Sequence, residues 1–303
     1  MRRAAGIVLS ASALFLTCLA AGPAGAATGL AFLKNGVDAR AALLGQAVTS
    51  VVADASAAYW NPAGLGRMEA PQLLLSHVES FADLRQEFGA VTQPLGIATA
   101  ALSFNGMWAD DMEGYDRSAN PTGNVGWSTY EAAVALGRQL SEDVTLGASL
   151  SYLRENIGTY GASGWALGAG AQWVPWKGAP VRCGLAVRNL GPAMQFITED
   201  FELPLTIQGG ASWRYHPSGA ASALLVSAEL RHVRDEGTAL LWGAEYGYQD
   251  LLSFGLGLRT GHDTRDLSLG IGAHPGRWEL HWAYVPIAED LGDEHRFSLR
   301  VTL

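Results

Sequence analysis

Beyond its first 26 residues the chain has no run of about 18 apolar residues, so no later segment is expected to cross a membrane as a helix. Cysteine is nearly missing: only Cys18 and Cys183 occur. Charged residues make up 16% of the chain, below the ~25% usual for soluble domains. Basic charge is the scarcer sign, with 20 Lys and Arg against 29 Asp and Glu. A nucleic-acid partner is therefore not expected, because phosphate binding needs a basic surface. The seven histidines include no His-x-x-x-His pair and no Cys/His cluster, so no zinc site is expected. No Gly-x-Ser-x-Gly elbow occurs, and neither an enzyme nor a cofactor is expected.

What is present starts with an export signal over residues 1–26. Arg2 and Arg3 supply the positive region, Ile7 to Leu19 the apolar region, and Ala24-Gly25-Ala26 the small-residue cleavage site. Cys18 follows Leu16-Thr17, which argues against a lipoprotein signal. Processing would leave Cys183 alone, so no intrachain disulfide can form even in a compartment that permits one.

The stretch from Asp54 to Gly66 punctuates the chain. Asn61 suits a helix N-cap and Pro62 the first helical position. Gly64 and Gly66 suit unusual backbone angles, and Tyr59 and Trp60 are large amphipathic anchors ahead of the turn.

From about residue 71 the sequence alternates apolar and polar residues to its last position. Leu252, Phe254, Leu256 and Leu258 alternate with Ser253, Gly255, Gly257 and Arg259. Phe297, Leu299, Val301 and Leu303 alternate with Arg296, Ser298, Arg300 and Thr302. Runs of about ten residues at ~3.4 Å each, tilted ~40°, match the ~25 Å apolar band of an outer membrane. Tryptophan and tyrosine fall near run ends, as an interfacial girdle requires. A soluble β-sandwich also alternates. Three features favour an outer-membrane barrel: the apolar phase persists through consecutive hairpins, the other phase is glycine, serine and single charges, and the final strand resembles a barrel assembly signal. The fold class is thus all-β, an antiparallel transmembrane barrel of about 14 strands, single-chain and monomeric, facing outer-membrane lipids.

The expected strands are 71–79, 86–94, 96–108, 125–139, 143–156, 160–174, 181–190, 203–215, 220–233, 239–248, 251–260, 264–274, 277–286 and 294–303. Turns after even-numbered strands, such as Pro94-Leu95-Gly96 and Pro275-Gly276, are mostly short and expected to be periplasmic. Loops Ala109–Asn124, Gly191–Glu202 and Ile287–Asp293 are expected outside. Residues 27–70 are too few for a second domain and are expected to form a plug, or hatch, in the periplasmic half of the barrel formed by 71–303.

Acidic clusters Asp110, Asp111, Glu113, Asp116 and Glu199, Asp200, Glu202 lack EF-hand order and read as solvated loop charge rather than calcium ligands. Arg182, Arg188, Glu229, Arg231, Glu245, Arg259, Asp266, Glu279 and Arg300 fall in the lumen phase, where pairing with one another or with the plug is expected. His281, beside Glu279, joins that polar network. Cys183 falls in the lipid-facing phase.

The run from Ala53-Asp54 through Tyr59-Trp60-Asn61-Pro62-Ala63-Gly64-Leu65 resembles the N-terminal signature of the PorV/PorQ outer-membrane proteins, relatives of the FadL long-chain fatty-acid transporters, which carry an Asn-Pro-Ala motif in a plug. Asp38 to Ala47 is also similar, but Gln46 stands where the family has a second glycine beside Gly45. The resemblance implies a type IX secretion-associated protein that binds cargo bearing C-terminal sorting domains, or else a FadL-like transporter of hydrophobic compounds. The plug motif would be Asp54, Tyr59, Trp60, Asn61, Pro62, Ala63 and Gly64. Met194, Phe196, Ile197 and Phe201 would be candidate binding residues on an outer loop.

Overall fold

The computed structural model describes residues 28–80, 84–115, 118–217, 221–261, 267–287 and 292–303, with backbone only at 110–112 and 122. The expected export signal, Asp116 and Asp266 lie outside the described residues, as do the side chains of Asp110 and Asp111.

Alternation builds the wall. The strands are β1 (Gln72–Glu79), β2 (Arg85–Pro94), β3 (Thr99–Tyr115), β4 (Pro121–Ser141), β5 (Val144–Ile157), β6 (Tyr160–Trp173) and β7 (Val181–Leu190). A small hairpin follows, β8 (Met194–Phe196) and β9 (Glu199–Phe201). Then come β10 (Thr206–Tyr215), β11 (Ser222–Val233), β12 (Gly237–Tyr248), β13 (Leu252–Thr260), β14 (Leu267–Ala273), β15 (Trp278–Ile287) and β16 (Gly292–Thr302). Fourteen of them form one closed antiparallel barrel, in which β7 pairs with β10 across the hairpin and β1 closes on β16. Closure satisfies the ladder without a free edge, as a lipid environment demands. Outward residues such as Leu75, Phe254, Leu256 and Phe297 are exposed, while their in-phase neighbours Ser76, Ser253 and Ser298 are buried.

The strand count agrees with the expectation, but lengths differ at one end. Ala109–Asn124 is mostly strand rather than loop: β3 and β4 stay paired through bulges near Ala109/Met112 and Gly114/Tyr115. The acidic residues there interrupt the apolar alternation, yet a ladder that leaves the lipid layer no longer needs an apolar face. The expected strand 203–215 starts later, at Thr206, after Pro204, which lacks the N–H a ladder requires.

The core of the molecule is the lumen, and it is filled by residues 28–70. Thr28 and Lys34 bond Asp235, in the turn between β11 and β12 at the end opposite the short turns. At the short-turn end, the Pro71 carbonyl accepts from the Leu303 N–H. The segment therefore runs the full length of the lumen rather than staying in the short-turn half. It contains two short helices, Ala39–Leu43 and Ala57–Trp60, and a 3-10 turn over Pro62–Arg67.

Glycine in the inward phase serves close packing, not a roomy lumen. Gly137, Gly147 and Gly170 are cross-strand neighbours on β4, β5 and β6. A Cβ on Gly147 would sit 2.2 Å from the Pro62 carbonyl carbon, and one on Gly170 would fall on Asn61 Oδ1. A second set, Gly243, Gly255, Gly257 and Gly270, receives Leu43, Leu44 and Gly45. Gly64 and Gly66 work in the same way. Neither adopts a positive φ, but a Cβ on Gly64 would meet the Val52 carbonyl and one on Gly66 the Arg138 backbone.

Candidate functional site in the barrel lumen

The Asn61 side chain is fully buried and bonded at both ends. Its Oδ1 accepts from the Ala63 N–H at 3.1 Å, capping the 3-10 turn that Pro62 opens. Its Nδ2 donates to the Thr49 carbonyl at 2.8 Å and to the Ala171 carbonyl on β6 at 3.2 Å. One amide thus caps a turn, ties two parts of the segment and fastens both to the wall. Asn61→Ala is expected to cost ~1 kcal/mol as a lost cap, plus the two bonds to the Thr49 and Ala171 carbonyls, of which Thr49 keeps its bond from Gln172. It should loosen residues 28–70 in hydrogen exchange while the barrel keeps its heat-modifiable migration on gels.

Asp38 plays a similar double part at the other helix. Its Oδ1 caps Ala39–Leu43 by accepting from the Ala41 N–H, and its Oδ2 accepts from Trp60 Nε1 at 2.7 Å. The Tyr59 hydroxyl donates to the Leu33 carbonyl at 2.6 Å. Arg188 of β7 places its guanidinium 4.9 Å from the ring centroids of both Tyr59 and Trp60. Such a stack gains more when it is desolvated, as here.

Glu229 of β11 receives the Thr49 and Ser50 N–H groups at 3.0 and 2.9 Å, the Ser50 hydroxyl, and Gln208 Nε2. Gln46 has a positive φ of 64°, directly after Gly45 at 59°. A non-glycine residue there carries a strain of roughly 1–2 kcal/mol. The side chain offsets it: Nε2 donates to the Asn35 carbonyl and Oε1 accepts from Arg231. Gln46, standing beside Gly45 where a second glycine would relieve the backbone, therefore has a bonding role.

Below this layer some of the lumen-phase charges pair, whereas Arg182 has Arg67 and Arg214 for charged neighbours. Arg40 bonds Glu245, and Arg300 bridges Asp54 and Glu279. Burial pushes the Asp54 carboxyl up, but the Arg300 and Arg40 guanidiniums and two hydrogen bonds from Ser56 outweigh it and hold it below the usual carboxylate range. These groups roof a cavity of about 780 Å³ toward the short turns, lined also by Arg182, Arg214 and His274. Above the motif the lumen changes character. Leu30, Phe32 and Leu33 pack with Met107, Leu153 and Leu203 in an apolar cluster.

Loop residues 191–205 fold inward over that cluster. Met194 is 2% exposed, and Phe196 and Phe201 pack beside it, while Ile197 is 60% exposed. Of the four candidate residues on this loop, three thus face the lumen, because Gly164 and Gly29 leave room for Met194 and Phe201. Sequence reasoning overlooked Gln172, whose Nε2 donates to the Thr49 and Val52 carbonyls, and the buried Glu294–Arg296 pair. Both lie in the inward phase, but which part of the segment they meet depends on how it threads the barrel.

No family model matches the chain, and no curated protein matches it. Solved structures do. The Ralstonia pickettii toluene transporter TbuX superposes with a TM-score of 0.64 at 12% identity, covering 88% of this chain and 98% of that one. The monoaromatic hydrocarbon channel CymD gives 0.62 at 13% identity, covering 91% and 99%. A Pseudomonas aeruginosa FadL homologue gives 0.55 at 12%, covering 88% and 98%. All three are transporters, channels or a FadL homologue, and at these identities the likeness is one of fold. The chain is a closed fourteen-stranded antiparallel barrel, similar in fold to these three proteins.

Proposed function

We propose that this protein passes hydrophobic small molecules across the outer membrane, with residues 28–70 as the plug and the short turns in the periplasm. The observation that carries this reading is the packed apolar cluster at the long-loop end, built from Leu30, Phe32 and Leu33 against Met194 and Leu203. A passing solute would take the place of the chain's own N-terminal residues in that cluster. At its tip the segment is held by Thr28 and Lys34, which bond the part-buried Asp235, and a passing solute would have to release these contacts. Transport of toluene or monoaromatic hydrocarbons by barrels of the same fold supports the solute class.

The test is uptake of radiolabelled toluene by cells lacking other carriers. Cells expressing this chain are expected to exceed the vector control, and Phe32→Asp, which places a charge in the apolar cluster, should abolish the excess. Uptake equal to the control would overturn the reading. The other function, a PorV-like type IX shuttle that captures cargo on the outer loop, has weaker support, because Met194, Phe196 and Phe201 are turned away from a partner. It would gain ground if Ile197→Asp abolished binding of a C-terminal sorting domain while toluene uptake stayed unchanged.

A further inference from the structure

Two of the seven histidines that look scattered in sequence, His274 and His281, come together beside Glu279. A nitrogen of His274, a nitrogen of His281 and a carboxylate oxygen of Glu279 lie within 4.8 Å of one another. We infer that these three side chains form a binding site for one divalent transition-metal ion of the zinc type, at the rim of the short-turn cavity.

Four observations support it. His281 is 7% exposed, and its Nε2 is buried without a hydrogen-bond partner. A buried ring nitrogen left unpaired is costly, and a metal ion would satisfy it. Gly272 lies opposite His281 on β14 and makes the space, since a Cβ there would meet His281 Nε2 at 2.8 Å. The His274 ring stands edge-on to His281 with centroids 5.2 Å apart, and its Nε2 lies 3.2 Å from Ser253 Oγ. That contact is of the kind that orients a ligating imidazole. Finally, Glu279 meets Arg300 through Oε2, which also lies 3.4 Å from His274 Nδ1; an ion would replace that Nδ1–Oε2 contact, and Oε1 is left for it.

Arg300 does not forbid a cation, because Asp54 and Glu279 already share its charge. Two imidazoles and a carboxylate suit zinc, whose bonds of ~2.0–2.2 Å would draw the three donors together. His274 stands just past the end of β14, beside the Pro275-Gly276 turn, where a shift is cheap. His274 and Glu279 line the cavity, so the fourth coordination position faces it and takes a water or a solute oxygen.

The test uses the signal-processed protein folded in detergent, stripped with a chelator and titrated with CoCl2. A saturable visible absorption at one equivalent, displaced by ZnCl2, is expected. His281→Ala and His274→Ala should each weaken binding by at least roughly 100-fold, since outer-shell partners alone are worth ~10–100-fold. The variant His77→Ala/His295→Ala, which removes two half-buried histidines outside the cluster, should titrate like the wild type. Gly272→Ala keeps all three donors but crowds His281 Nε2, so it should also lose the signal, and it serves if His281→Ala fails to fold. Absence of a cobalt signal in the wild type would overturn the site, as would an unchanged titration in a folded His281→Ala or Gly272→Ala variant.

Discussion

Gly147→Val is expected to drive the Asn61-Pro62 turn off the barrel wall while the barrel stays closed. The added Cβ would lie 2.2 Å from the Pro62 carbonyl carbon and 2.5 Å from the Ala63 nitrogen. Both are backbone atoms, so no rotamer change relieves the overlap. Gly137 and Gly170 flank the position on the neighbouring strands and are equally filled by the segment. The turn must therefore move as a unit, breaking the Asn61 bonds to Thr49 and Ala171. Overpacking of this kind costs ~1–3 kcal/mol, which falls on the segment because the wall's hydrogen-bond ladder is continuous around the barrel. Single-channel conductance in planar bilayers should rise, and protease should nick residues 28–70, while heat-modifiable migration persists. Unchanged conductance and protease resistance would show that the turn is not held by this contact. Loss of the heat-modifiable band would make the segment a requirement for barrel closure.

Leu256→Arg is the second large effect. Leu256 is 49% exposed on the outer face of β13, between Ala244 and Leu269 of the adjacent strands. With no polar neighbour there, the guanidinium would sit in hydrocarbon. The expected cost is ~2–4 kcal/mol if the position is at the bilayer midplane, read from denaturant unfolding in lipid vesicles. Alternation alone suggests that serine at the inward Gly255 or Gly257 would be milder. Packing revises this: a Cβ on Gly257 would lie 2.0 Å from the Gly45 nitrogen, and one on Gly255 would overlap Leu43. Gly257→Ser should thus leave barrel unfolding close to wild type but release the segment, separating the two faces of one strand. Wild-type stability of Leu256→Arg in lipid would mean that this face does not meet the membrane.

The wall was legible in the residue order because the side-chain period of a strand is two, so facing can be read locally once a strand is recognised. Leu252 to Leu258 and Phe297 to Leu303 carry the signal without reference to anything distant. Asn61 and Pro62 were legible for the same reason, since a cap and its first helical residue are neighbours in the chain. The function of the inward glycines was not. Gly137, Gly147 and Gly170 meet only through cross-strand register, and their purpose is visible only against Pro62, far away in sequence. The inward turn of Met194 and Phe201 was hidden as well, because an apolar loop residue looks the same whether it faces a partner or the lumen. Gln46 looked like a lapse from a glycine pattern until Asn35 and Arg231 came within bonding distance. His274 and His281 are too far apart for a helical metal motif, and only the turn between β14 and β15 brings them together around Glu279. Local order thus settles which residues face lipid, because that depends on one strand's own pleat. Threading of residues 28–70 through the closed wall decides what the lumen holds, because each of those contacts joins groups that only the tertiary structure makes neighbours.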